Sequence, residues 1–134
     1  MKRILLLISS LFSFTAQAEI INISLDEMSA MSGKNIPLID IRTLGEWNQT
    51  GVIAGSHLLT WVDEYGRSNP NAWREQINKI SPNNQALMLI CRSGNRSMTA
   101  ARFLDQQNPS RKIYNVREGM NGWQATARKT VSPK

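Results

Sequence analysis

The residues best suited to chemistry lie in one run, Cys91-Arg92-Ser93-Gly94-Asn95-Arg96-Ser97, which holds the chain's single cysteine. A thiolate, not a thiol, is the attacking species, and nearby cations and inward-facing backbone amides favour it. Arg92 and Arg96 supply two full charges, and Gly94 lets a turn close with its N–H groups facing inward. A helix opening directly after the turn would add its positive dipole end. The competing reading is an inert thiol packed at the end of a strand, which position alone favours. The residues that follow Cys91 favour the nucleophile, because packing needs none of them.

The elements that must position this turn can be read on either side of it. Ala86-Leu87-Met88-Leu89-Ile90 is apolar at every place instead of alternating, which predicts a central strand buried on both faces and ending at Cys91. Residues 97–107 predict a helix whose apolar contacts come from Met98, Ala101, Phe103 and Leu104. Ligands collect beyond the carboxyl ends of the strands in open α/β sheets, which is where Cys91 would stand.

Elsewhere, Ser24-Leu25-Asp26-Glu27 has capping-box spacing and predicts a helix closing near Gly33. Residues 36–42 predict a strand, residues 43–49 a short helix, and Gly51 and Gly55 turns or close approaches. A loop is expected over 61–70. A helix follows, with Trp73, Ile77 and Ile80 on one face and Pro82 just past its end. Residues 112–116 predict another strand, and residues 118–127 a glycine-rich turn and a last helix. Together these predict a small α/β domain with a mostly parallel central sheet flanked by helices.

Composition sets the class. Of 134 residues, 41% are hydrophobic and 19% charged, which suits one folded domain and argues against disorder. The N-terminus joins Lys2 and Arg3 to an apolar stretch from Ile4 to Phe14 and then Ala16-Gln17-Ala18, the pattern of a secretory signal over residues 1–18. The expectation is a periplasmic or secreted protein of residues 19–134, not held in the membrane once cleaved; an uncleaved anchor is the alternative. Loss of Lys2 and Arg3 leaves 14 basic against 10 acidic side chains, a formal charge of +4. That charge is spread along the chain, which argues against nucleic-acid binding. Export also makes an unpaired cysteine conspicuous, since oxidising compartments favour pairs.

"CRSGNRS" at 91–97 resembles the active-site loop of the rhodanese family. "DIRTLGEW" at 40–47, "GVIAGSHLL" at 51–59 and "VREGMNGWQ" at 116–124 resemble three further blocks of that family, in family order. Three departures stand out: Val52 replaces a usual histidine, Ser56 a common alanine, and Glu118-Gly119 a Gly-Gly pair. The resemblance implies a thiosulfate sulfurtransferase with a rhodanese fold. Cys91 would take the outer sulfur of an anionic donor as a persulfide and pass it to a thiophilic acceptor such as cyanide or a thiol. The loop residues Arg92, Ser93, Gly94, Asn95, Arg96 and Ser97 would bind the donor, with Ser97 capping the helix or donating to the ligand. Asp40, Arg42 and Glu46 would support the loop, ordinary surface pairing being the alternative for Arg42.

No cofactor and no metal are expected, as one cysteine and one histidine do not make a closed ligand set. His57 reads as a loop residue without a catalytic part. Trp47, Trp61, Trp73 and Trp123 read as core or its cover. A monomer is expected, with room for a protein sulfur partner. The other functions to weigh are a persulfide carrier fed by another protein, a non-catalytic binding module of the same fold, and a cysteine-dependent phosphatase or arsenate reductase. The loops of that last class are one residue longer than the four residues between Cys91 and Arg96.

Overall fold

The computed structural model describes Leu11 and residues 20–134, so the predicted signal segment, Leu11 apart, lies outside the described residues. Five strands, β1 (Ile20–Ile23), β2 (Leu38–Asp40), β3 (His57–Leu58), β4 (Leu87–Ile90) and β5 (Ile113–Val116), form one sheet in the order β1-β5-β4-β2-β3. Every named pairing is parallel. Five helices cover it: α1 (Leu25–Ser32), α2 (Leu44–Thr50), α3 (Pro70–Ile80), α4 (Asn95–Gln107) and α5 (Gly119–Ala125). No helix among the described residues is long and apolar enough to cross a membrane.

β4 lies at the centre, paired with β2 and β5, and its four residues are fully buried. Side chains alternate across a strand, and the two cores follow that alternation. Leu87 and Leu89 pack with Trp73 and Ile77 of α3 and with Ala100, Ala101 and Leu104 of α4. Met88 and Ile90 pack on the other face with Leu25 and Met28 of α1 and Met120 of α5. Cys91, next in the alternation, joins the face that carries α4. The direction of the sulfur is therefore set by a strand register two residues upstream.

The expected fold class holds, with differences in detail. The sheet pairings are wholly parallel, and its two edge strands, β1 and β3, were not foreseen. Each is short, and only one residue of the two strands, Ile23, is buried, so neither gives the apolar run that marks a central strand. His57 consequently stands at the start of β3 and not in a loop. The predicted strand over 36–42 narrows to Leu38–Asp40. The capping box at Ser24 and Glu27 forms as expected, and Trp61 and Trp73 meet edge to face at 4.8 Å within the core.

Beyond β2 the chain turns through Arg42, whose guanidinium grips Asp40 by Nε to Oδ1 at 2.9 Å and by its terminal nitrogen to Oδ2 at 2.7 Å. Both side chains are buried, so the surface pairing considered for Arg42 is replaced by an internal ion pair. The same guanidinium donates to Thr50 Oγ1 at 2.8 Å and to the Gly51 carbonyl at 3.1 Å, which fastens the end of α2 to the top of the sheet. Removing one partner of a buried pair leaves the other charge unpaired. Arg42→Ala should therefore lower unfolding free energy by about 3 to 5 kcal/mol, as measured by urea denaturation; a change below about 1 kcal/mol would show that water reaches Asp40.

Candidate active site

The site begins where β4 ends. Cys91 is fully buried, and its Sγ accepts the Gly94 N–H at 3.1 Å and the Ser97 N–H at 3.4 Å. Ser97 is the third residue of α4, and Gly94, its N-cap, makes no side-chain capping bond. The sulfur therefore takes the place that a capping oxygen normally fills, at the positive end of the helix. Burial alone is what an inert thiol would show; donors directed at the sulfur are what a sulfur anion needs.

A second segment holds the loop in this shape. The Cys91 carbonyl accepts the Met120 N–H at 2.9 Å and the Arg92 carbonyl accepts the Asn121 N–H at 3.0 Å, so the first peptides of the loop turn their oxygens toward α5. The backbones approach too closely for side chains. A Cβ on Gly94, at φ 90°, would stand 2.4 Å from the Arg117 carbonyl oxygen, and one on Gly119, at φ 60°, the same distance from that of Arg92. Glu118, in place of the family's first glycine, has an ordinary helical φ of −80°, so that departure falls where no glycine is required.

Arg96 does not stand open to a ligand. Its two terminal nitrogens reach Glu46 Oε1 at 2.6 Å and Oε2 at 2.8 Å, a bidentate pair that ties α4 to α2. Glu46 also closes a capping box with Thr43 at the start of α2, a Thr-x-x-Glu spacing that the sequence reading passed over. Hydrogen bonding by Arg96 pulls the Glu46 carboxyl below its ordinary value near 4.5, against an opposing effect of burial, and Glu46 in turn raises Arg96. Arg92 is exposed, its guanidinium donating from Nε to Asn121 Oδ1 at 3.4 Å, and it has no carboxylate partner among the described residues. Arg92 and Asn121 help line a cleft of about 330 Å³ with Arg42, Glu46 and Met120.

The structure thus brings Cys91, Gly94 and Ser97 into contact, and places Arg96, Glu46, Asp40 and Arg42 in the shell behind them. Ser93 and Asn95 are exposed and make no hydrogen bond to the sulfur. Ser97 is not the helix cap: it is buried inside α4, with Oγ 3.3 Å from Cys91 Sγ and 2.5 Å from Asn115 Oδ1. Asn115 was missed; its only signal was a polar residue within an apolar strand. The usual histidine's replacement, Val52, is buried and pairs antiparallel with Val131.

The Rhodanese-like domain family model matches residues 24–126. The Rv0390 protein of M. tuberculosis superposes with TM-score 0.63 at 24% identity, over 76% of this chain and 80% of that one. A rhodanese-related protein of Thermoplasma volcanium gives 0.62 at 25%, over 83% and 97%. The polysulfide-sulfur transferase homodimer of Wolinella succinogenes gives 0.63 at 18%, over 89% and 83%. A search of curated proteins finds no match.

The Glu46–Arg96 pair has a signed pH consequence. A carboxyl lowered in the folded state contributes stability that is complete above its unfolded value, near 4.5, and lost as pH falls through the lower folded value. Glu46→Gln should remove that acid-limb dependence and leave a flatter stability curve in urea titrations from about pH 3 to 6. An unchanged slope would mean that the pair does not hold α2 to α4 in solution.

Proposed function

The chain belongs to the rhodanese-like domain family, and from that premise we propose that it is a thiosulfate sulfurtransferase working through a persulfide on Cys91. The observation that carries the reading is the pair of N–H groups directed at a sulfur seated on the N-terminus of α4. The Cys91 thiolate attacks the outer sulfur of thiosulfate, a new S–S bond forms, the donor's S–S bond breaks, and sulfite leaves with the electron pair. Cyanide or a thiolate then attacks the outer sulfur, and the departing electron pair restores the Cys91 thiolate. Neither step needs an oxidant, a metal or a general base.

Each residue's part follows from its place. Gly94 and Ser97 give N–H bonds to Sγ. The N–H groups of Ser93, Asn95 and Arg96 have no protein acceptor among the described residues, and they are suited to a negative outer sulfur. Since Arg96 is committed to Glu46, Arg92 is the cation placed to receive the donor's sulfonate. The sulfur is buried at rest, so the exposed segment Arg92-Ser93 must part for a donor to reach it. The proposal extends to location: Lys2, Arg3, the apolar stretch and Ala16-Gln17-Ala18 support export with a mature chain beginning at Glu19.

The test is intact mass. Protein mixed with thiosulfate should gain one sulfur atom and lose it to cyanide with release of thiocyanate, whereas Cys91→Ser should stay folded and do neither. A folded wild-type protein that gains no mass from thiosulfate would overturn the enzyme. If it nevertheless accepted sulfur from a persulfidated protein, it would be a carrier; cysteine-dependent hydrolysis of aryl phosphates would make it a phosphatase.

The same assay assigns the cation. Arg92→Ala should reduce kcat/KM for thiosulfate about tenfold to a hundredfold through a higher KM, with little change in Tm. Unchanged kinetics would remove Arg92 from donor binding.

A further inference from the structure

Behind the sulfur lies a buried polar chain that the reaction above leaves unused. Asn115, on β5 and 2% exposed, donates its amide N–H groups to Asn22 Oδ1 at 3.0 Å and to the Gly94 carbonyl at 3.4 Å. A carbonyl can only accept, so the amide's orientation is settled: nitrogen faces Gly94 and oxygen faces Ser97. Asn115 Oδ1 carries no proton, so in its 2.5 Å contact with Ser97 Oγ the hydroxyl must be the donor. A hydroxyl has one proton. Toward Cys91 Sγ, 3.3 Å away, Ser97 Oγ therefore presents a lone pair, which suits an S–H donor.

Against a thiolate the same lone pair is unfavourable. The hydroxyl can turn to the sulfur only by stranding Asn115 Oδ1, an acceptor inside the protein. In a persulfide the negative charge sits on the outer sulfur, the inner sulfur is neutral, and that conflict disappears. We propose that Asn115 is a positioning residue which, by holding the Ser97 proton, disfavours the empty thiolate relative to the loaded persulfide. The inference rests on the reading of Cys91 as the sulfur-carrying nucleophile. The charged residues on the loop and on the elements packed against it are Arg92 and Arg96 on the loop and α4, Glu46 on α2, Asp40 and Arg42 at the end of β2, and Arg117 and Glu118 before α5. None of these is altered in the variants below.

Cys91 is the only cysteine, so its thiolate can be read by ultraviolet absorbance against a Cys91→Ser blank, without donor or reagent reaching the site. At a fixed pH where the thiolate is the minor form, Asn115→Val should raise its fraction about fivefold to tenfold, because the Ser97 hydroxyl is released to donate to sulfur. Ser97→Ala should raise it less, and adding Asn115→Val to Ser97→Ala should change nothing further. Asn115→Asp, which holds the proton more strongly and adds negative charge, should lower the fraction.

No change in Asn115→Val, or the same change with and without the Ser97 hydroxyl, overturns the proposal. Should Asn115→Val not fold, Asn115→Asp decides when made with and without Ser97→Ala: a larger lowering with the Ser97 hydroxyl present is expected, and an equal lowering in both backgrounds is the overturning result. The readout is independent of sulfur transfer. The expected absorbance pattern in a protein that gains no sulfur from thiosulfate would support the hydrogen-bond relay while refuting the proposed enzyme.

Discussion

The site depends on one backbone seam, where the first two carbonyls of the cysteine loop meet the first amides of α5. With the oxygens of Cys91 and Arg92 bound by the N–H groups of Met120 and Asn121, the loop cannot turn those oxygens toward the sulfur. The seam leaves no room for side chains, which is why its two contact points, Gly94 and Gly119, are both glycines at positive φ. A carbonyl facing a sulfur anion would repel it, so the seam works by turning backbone acceptors away from the sulfur while the loop's amides face it. Met120, which carries one of those N–H groups, is itself buried in the core on the far face of the sheet. The loop is thereby tied to the same packing that holds β4 in place.

A second line of support runs from the sheet to the helix behind the loop. Asp40 ends β2, Arg42 bonds Asp40 and the end of α2, Glu46 on α2 caps its own first turn, and Arg96 joins Glu46 to α4. Each link uses a charge-assisted bond, and the first is wholly buried, where breaking it strands a charge. This makes Arg96 a strut. The guanidinium that its sequence position suggested for donor binding is engaged by Glu46, and the N–H groups that reach the sulfur are backbone amides at the start of α4, with Arg92 outside.

Much of this was legible in the sequence because the relevant signals are local. The unbroken apolar run over 86–90 announced a central parallel strand, and its abrupt end marked where Cys91 would emerge. The glycine at 94 and the capping box at Ser24 are likewise short-range chemistry that the fold cannot easily override. What could not be read was pairing across the chain. Glu46 and Arg96 lie fifty positions apart and Arg92 and Asn121 twenty-nine, so neither spacing nor composition says that one arginine is engaged and the other exposed. The edge strands β1 and β3 were missed because runs of two to four residues, all but Ile23 partly or fully exposed, carry no periodic signal until a neighbour pairs with them. Asn115 was invisible for a different reason: its meaning lies in which partner receives a single proton, and that depends on side chains from β1, β5 and α4 together.

The inert and reactive readings of Cys91 make different demands on its surroundings, and burial does not separate them. A packing thiol needs apolar neighbours, and Cys91 has them in the core it shares with Leu89 and Ala100. It does not need to accept two backbone N–H groups, nor to have the carbonyls of its own loop drawn away by another helix. Building that environment requires positive φ at two glycines, two carbonyl-to-amide bonds that hold the loop, and ion pairs that brace the helices behind it. Apolar packing would hold a neutral thiol equally well without them. The polar construction around this buried sulfur is what the proposed sulfur-transfer chemistry of Cys91 would need, and it is more than packing alone requires.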